Sequence, residues 1–393
     1  MIQAKLKFIK NLKINVNKPF NLKVLNFLKD FSQEIKKDKV SYKYPNLVYL
    51  MLWCSKNNIK KIKDSFHDHE FRLGRGLVFH ICPNNVPVNF IYSFFLGLLS
   101  GNSNIVKVPS KDFVEKKIII KSLNKVFLKK KYLCLKKSNF FIEYDHRADP
   151  EKTKIVSSSS DARIIWGGDE TINQIKKIWT PERCIDLCFS DRYSLSVLNS
   201  NKLKNIKKEK LNIIIKKFFY DSYTMNQMAC NSPHFVFWVG SMDKKIKDYF
   251  WKKLSLIAKE KFRFDEIHVM DKFSNLVENV IDKPIFKKVK MYKNRLYVLD
   301  VKKDHLNIEN IRGVNGTFFQ KNLKNLNFLA KYVNKKCQTI TYFGFDEKNF
   351  KSLLTKNNLL GADRIVKIGD GLNFDVNWDG YDTIRILSRI VTL

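Results

Sequence analysis

Apolar residues recur at helical spacing near the start of the chain and in short strand-like runs through its middle. Over residues 21–37, Val24, Leu25, Leu28, Phe31 and Ile35 fall on one face of an amphipathic helix. Residues 44–56 read as a second apolar helix that starts near Pro45. From residue 76, short apolar runs alternate with longer amphipathic ones. Strands are predicted at 76–82, 104–108, 140–144 and 162–166, and helices at 87–99, 112–130 and 169–179. Pro87 stands where a first-turn proline belongs, and Gly101-Asn102 supplies a pair suited to positive φ at the end of that helix. This succession predicts a parallel α/β sheet with right-handed crossovers.

A second block follows, with a helix at 206–223, a strand at 235–239, a helix at 243–259 and strands at 295–301 and 339–345. The chain ends in residues 383–393, whose alternation predicts an edge strand that pairs with another chain. No internal repeat is visible, and no linker rich in proline, serine or glycine divides the chain. A length of 393 residues with 44% hydrophobic content supports a large core divided between two domains.

Charge changes this picture little. The formal net charge of +35 suggests nucleic acid or an anionic membrane as a partner. Yet the lysines are spread along the whole chain, and Lys, Asn, Ile and Phe are abundant together, as an A/T-biased coding sequence produces. The excess is read as bias, with no nucleic-acid partner, although a phosphate-bearing ligand would still gain from the field. The seven cysteines form no CxxC pair and no metal-ligand spacing, so no metal is expected and a reduced, cytoplasmic setting fits. The most apolar stretch, residues 86–99, is shorter than the ~20 residues of a membrane span and is interrupted by Asn89. It is read as a buried helix, with no integral membrane segment.

Five motifs carry candidate chemistry. Gly74-Arg75-Gly76 fails as a dinucleotide fingerprint, because its glycines precede the strand and Phe79 stands where the third would fall. Cys82-Pro83-Asn84-Asn85-Val86-Pro87 joins a strand to a helix at the sheet edge where α/β proteins bind ligands, and an Asn amide there can donate to an oxyanion; an ordinary turn is the plainer alternative. Lys107 and Ser110 end the next strand, placed to hold a ribose or phosphate, or simply solvated. Gly167-Gly168 opens a helix whose N-terminus lets a phosphate approach, or is merely capped there by Asp169 and Glu170. Cys230, within Asn226-Gln227-Met228-Ala229-Cys230-Asn231-Ser232-Pro233, offers a thiol that can attack a carbonyl, although free cysteines commonly serve as small buried hydrophobes. His234, four residues on, reads as the start of a strand, not as an activator.

Taken together, these segments resemble the acyl-CoA reductase family typified by the fatty acid reductase of bacterial bioluminescence (LuxC). The carriers are Gly76-Leu-Val-Phe-His-Ile-Cys-Pro-Asn-Asn-Val-Pro-Val-Asn-Phe90, Gly97-Leu-Leu-Ser-Gly-Asn-Ser-Asn-Ile-Val-Lys-Val-Pro-Ser110, Trp166-Gly-Gly-Asp-Glu-Thr-Ile172 and the octapeptide around Cys230. Cys337-Gln-Thr-Ile-Thr-Tyr-Phe-Gly344, Asp363-Arg-Ile-Val-Lys-Ile-Gly369 and Trp378-Asp-Gly-Tyr-Asp382 extend the likeness to the end.

That family is similar to the aldehyde dehydrogenases. The resemblance implies their α/β fold: N-terminal helices with a Rossmann-type dinucleotide domain over residues 1–200, a catalytic domain over 201–375 and an oligomerisation segment over 376–393. It implies that Cys230 is the nucleophile and Asn85 the side-chain oxyanion donor. Lys107 would hold the adenosine ribose and Ser110 would bind the cofactor beside it, with Gly167 and Gly168 where the dinucleotide passes. Hydrolytic members carry a Glu base upstream of the nucleophile; residues 189–198 here hold no Glu, which favours acyl transfer over hydrolysis. The segment that contacts the nicotinamide ribose elsewhere is not recoverable near residues 311–318. Lys111 replaces the Glu of NAD-preferring members, so NADPH is the expected cofactor.

The implied reaction reduces an acyl thioester to the aldehyde through an S-acyl cysteine. The acyl donor would be CoA, an acyl carrier or a partner acyl-protein synthetase, and the enzyme a homo-oligomer. A basic scaffold without catalysis and an oxidative aldehyde dehydrogenase are the competing expectations.

Overall fold

The structure is a computed structural model that describes residues 12–145, 148–241, 243–281, 285–302 and 307–393. The chain divides into two compact units: one runs to Asp191 and takes in Phe374–Leu393, and the other is Arg192–Asn373.

The first unit is built on five parallel strands: β1 (Leu77–Ile81), β2 (Ser103–Val108), β3 (Asn139–Glu143), β4 (Ala162–Trp166) and β5 (Ile185–Phe189). Their order in the sheet is β3-β2-β1-β4-β5, so the winding reverses between β1 and β4. Side chains of β1, β2 and β4 are buried throughout, including the polar Ser103, Asn104 and Lys107 of β2, His80 of β1 and Arg163 of β4. Helix Asn89–Leu99 follows β1 and is buried from Phe90 to Leu99, as a helix apolar on all sides must be. One polar network crosses this core. Trp166 Nε1 donates to Ser93 Oγ at 3.0 Å, and His80 bridges Ser93 Oγ and Asn104 Oδ1 at 2.8 Å each. Burial lowers His80 to about 4, so the ring is neutral and serves as a connector.

Helix Leu22–Lys37 buries Val24, Phe27, Leu28, Phe31 and Ile35 and is capped by Asn21, whose side chain accepts from Lys23 N at 2.9 Å. The C-terminal segment differs from the single strand expected over 383–393. Thr383–Ile386 is a helical turn capped by Asp382, and only Ser388–Ile390 is strand, paired antiparallel with Arg72–Gly74 of the same unit. Ile384 and Leu387 are both fully buried at a spacing of three, which suits a helical turn and not a two-residue alternation.

Among its described residues the second unit carries seven strands: β6 (Tyr193–Asn199), β7 (Pro233–Val239), β8 (Phe286–Tyr292), β9 (Leu296–Val301), β10 (Thr317–Leu323), β11 (Cys337–Phe343) and β12 (Arg364–Lys367). Their order is β12-β11-β6-β7-β10-β9-β8, parallel except for β8 against β9. Strand β7 shows how the sheet sorts its residues. Phe235, Phe237 and Val239 join one apolar cluster, and Val236 and Trp238 join another. Among the described residues, no helix is long and apolar enough to cross a membrane.

Candidate active site

Helix Lys208–Tyr223 delivers the chain to the cysteine loop. The loop then takes a course that most side chains resist, because Asn226 and Gln227 adopt φ of 54° and 62°. Asn tolerates that region; Gln227 is held there by its own amide. Its Oε1 accepts from Gly316 N at 3.0 Å and Thr317 N at 3.2 Å, and its Nε2 donates to Thr317 O at 2.9 Å and Pro233 O at 3.1 Å. Gly316 has φ of +94°, and a Cβ there would lie 2.3 Å from Tyr223 Oη, so this contact requires glycine. Asn226 Nδ2 lies 3.1 Å from His268 Nε2.

Cys230 is half-buried in this loop. Its carbonyl accepts from Ser194 Oγ at 2.6 Å, and its Sγ accepts from Gln338 Nε2 at 3.2 Å. The next residue, Asn231, donates Nδ2–H to Gly371 O at 2.9 Å. Asp221, on the helix before the loop, accepts from Gly369 N at 2.6 Å and Gly371 N at 3.0 Å. Burial raises the Asp221 carboxyl to about 7 against the pull of those two N–H groups. His234 is the only histidine close in sequence to the thiol. Burial lowers it to about 3, and its Nδ1 accepts from Gly313 N at 3.0 Å, so it is a neutral structural acceptor on β7. From residues 189–198, the hydroxyl of Ser194 reaches the Cys230 carbonyl.

In the first unit, the carboxyl ends of β1, β2 and β4 frame a cavity of about 310 Å³. It sits where the winding reverses, the place where open α/β sheets bind ligands. Asn84, Asn85, Lys107, Gly167 and Gly168 line it, with Asp145 and Trp166. Four of the sequence candidates are therefore together: Asn85, Lys107, Gly167 and Gly168. Lys107 is 1% exposed. Its Nζ donates to Cys82 O and to Asn84 Oδ1, both at 3.3 Å. Burial lowers its pKa, opposed by the negative fields of Asp145 and Glu143. Burial also pushes the neighbouring Cys82 up to about 12, so that sulfur is a thiol. Ser110 lies at the rim of this group, its backbone N–H donating to Asn84 Oδ1 at 3.2 Å. Lys111 is exposed, with its ammonium 5.4 Å from the Phe113 ring centre.

These residues fit a dinucleotide. Two acceptors among the described residues reach a buried ammonium that carries three protons. Gly168 caps helix Asp169–Lys176, and a Cβ built on it meets nothing within 4 Å, which leaves the helix N-terminus open to a phosphate.

Asn84, Ser194 and Gln338 were not singled out by sequence. Asn84 carries a readable signal, since it shares the turn with Asn85. Ser194 and Gln338 lie 36 and 108 residues from Cys230, and although Gln338 falls in a segment that carries the family likeness, nothing local ties either residue to the sulfur.

A family model described as acyl-CoA reductase (LuxC) matches residues 15–393. A long-chain acyl-protein thioester reductase of Photorhabdus luminescens is 24% identical over 327 residues, covering 81% of this chain and 63% of that protein. A protein of the same name from Vibrio harveyi is 22% identical over 329 residues, with the same 81% and 63% coverage. The chain thus spans 63% of the length of these curated relatives. Among solved structures, a Thermus thermophilus 1-pyrroline-5-carboxylate dehydrogenase aligns with a TM-score of 0.65 at 10% identity, over 94% of this chain and 80% of that one. A salicylaldehyde dehydrogenase from Pseudomonas putida G7 aligns with a TM-score of 0.63 at 13% identity, over 99% of this chain and 87% of that one. The fold is that of the aldehyde dehydrogenases.

Proposed function

The chain belongs to the acyl-CoA reductase (LuxC) family, and from that premise we propose that it reduces an acyl thioester to the aldehyde through an S-acyl intermediate on Cys230. The observation that carries the reading is the Cys230 thiol, held in a strained loop by Gln227 and Ser194, in a chain whose curated relatives are named thioester reductases.

The Cys230 sulfur attacks the acyl carbonyl and forms the new S–C bond. The tetrahedral oxyanion takes hydrogen bonds from the Cys230 backbone N–H and the Asn85 amide, the roles their motifs imply. The donor thiolate leaves with its bonding pair, and an acyl-cysteine remains. Bound NADPH would supply hydride to that acyl carbon; the C–S bond to Cys230 then breaks, its electron pair returns to the sulfur and the aldehyde leaves. Lys107 and Ser110 would hold the cofactor's ribose, Lys111 the 2′-phosphate, and Gly167-Gly168 would give its phosphates room. Residues 189–198 hold no Glu, where the family resemblance places the carboxylate base of hydrolytic members. Water attack on the acyl-cysteine is correspondingly slow. The acyl donor is a CoA thioester or an acyl group on a carrier or synthetase partner, and the working form is a homo-oligomer.

The test is incubation with a radiolabelled acyl thioester without reductant. Wild type should accumulate label that hydroxylamine removes, and Cys230→Ala should not. Label retained by Cys230→Ala would sink the assignment. NADPH consumption against a panel of acyl-CoAs then reads the reaction, and faster consumption of NADH would overturn the role given to Lys111.

A further inference from the structure

We propose that Gln338 is a catalytic residue whose side-chain amide donates an N–H to Cys230 Sγ and stabilises the thiolate that attacks the substrate. This inference rests on the reading of Cys230 as the nucleophile.

The geometry is specific. Gln338 Nε2 lies 3.2 Å from Cys230 Sγ. Gln338 Oε1 accepts from Thr339 Oγ1 at 3.5 Å, and the NH2 end of the amide faces sulfur. Gln338 is 1% exposed, so its amide is withdrawn from bulk water and its N–H dipole acts in a medium of low polarity.

The backbone is shaped to make this contact. Strand β11 pairs with β6 as Cys337 with Tyr193 and then Ile340 with Leu195, so the register slips across Gln338 and Thr339. A bulge of this kind re-aims a side chain. The bulge is tied to the cysteine by one hydroxyl. Ser194 Oγ accepts from Thr339 N at 3.2 Å and donates to Cys230 O at 2.6 Å. One serine therefore fixes the Gln338 backbone and the Cys230 backbone together, and the amide-to-sulfur distance follows from that bracket.

The chemistry needs such a group. A free thiol titrates near ~8.5 and is mostly protonated at neutral pH. The nearby histidine, His234, already accepts from Gly313 and takes no proton from the thiol. An amide N–H lowers the energy of the anion without titrating and without activating water, which suits acyl transfer better than a carboxylate base does.

The test is the pH dependence of Cys230 alkylation by iodoacetamide, followed by peptide mass spectrometry on the full chain. In wild type the midpoint should lie below that of an ordinary free thiol. Gln338→Met keeps the size and removes the donor; it should move the midpoint up by about one unit, leaving roughly a tenth of the thiolate at neutral pH. Gln338→Glu should move it further, through like-charge repulsion. A Gln338→Met profile that superimposes on wild type, with an unchanged circular dichroism spectrum, overturns the inference. If that variant does not fold, Gln338→Glu and the wild-type midpoint decide; a wild-type midpoint at or above the free-thiol value overturns it. The two readings fail separately. Acyl labelling lost in Cys230→Ala with no shift in Gln338→Met sinks only the inference, whereas labelling retained in Cys230→Ala sinks the proposed function.

Discussion

Asp221 holds Gly371 by its amide, Oδ1 to N at 3.0 Å, while the carbonyl of the same glycine accepts from Asn231, the neighbour of Cys230. A buried carboxyl therefore stands two hydrogen bonds from the proposed nucleophile's loop. Its pKa of about 7 in the fold compares with 3.8 as the ordinary value, and burial is the cause. The sign follows from proton counts. Between about pH 4 and about pH 7 the unfolded chain has lost this proton and the folded chain keeps it, so stability falls as pH rises through the window and levels above it. Asp221→Asn removes the titration and leaves one glycine N–H facing an NH2, costing about 1–3 kcal/mol. Urea midpoints measured on both sides of the window should therefore converge as pH rises, with wild type losing more than Asp221→Asn. Parallel pH profiles would show that Asp221 is not the group that titrates.

Gln227 meets two amide N–H groups and two carbonyls with one buried side chain, in a backbone conformation that favours other residues. Gln227→Ala should cost about 2–4 kcal/mol, because it strands several buried backbone groups at once. Thermal unfolding checks the stability. Acyl labelling of the surviving folded protein should also fall, since the loop that presents Cys230 loses its anchor. A drop in melting temperature below one degree would show that the loop is held by other contacts.

The sheets were legible wherever burial is uniform. Strands β1, β4 and β7 announce themselves as largely apolar runs because their side chains are buried on both faces. Strand β6 was hidden because Ser194 and Ser196 alternate with its apolar residues, and they are buried polar partners: Ser196 Oγ meets Thr341 Oγ1, and Ser194 meets Cys230. Helix Glu266–Ile281 carries Ile267, Met270, Phe273 and Ile281 at helical spacing, but on an exposed side, so its apolar pattern does not report the core. The sequence singles out Cys230, Asn85 and Lys107 because each sits in a local motif. Gln338 is invisible to such reading, since a bulge and a serine on another strand bring it to the sulfur.

Lys107 is a buried cation whose two acceptors are uncharged. Lys107→Met keeps the stem and removes the charge. Dinucleotide affinity should fall by about 10–100-fold, the worth of a charge-assisted hydrogen bond of about 1.5–3 kcal/mol. Hydroxylamine-labile acylation without reductant should be unaffected, because that step uses Cys230. Isothermal titration with NADPH and the labelling assay separate the two effects. Loss of both together would place Lys107 in the scaffold instead of the cofactor site.

Gly168 offers the cleanest separation of fold from function. Its φ of −68° and ψ of 161° suit any residue, and the space where its side chain would project is empty to 4 Å. Asn is a better helix N-cap than glycine by a few tenths of a kcal/mol. Gly168→Asn should therefore leave the melting temperature unchanged or slightly higher. The same side chain fills the approach to the N-terminus of helix Asp169–Lys176, where a dinucleotide phosphate would come closest. Affinity for NADPH should fall at least about tenfold, which is about 1.4 kcal/mol. Quenching of Trp166, which lines the same cavity, provides the readout. A variant as stable as wild type that binds NADPH equally well would move the dinucleotide phosphates away from Gly167-Gly168. A variant that is stable but fails to bind would tie the open glycine to the cofactor and not to the helix.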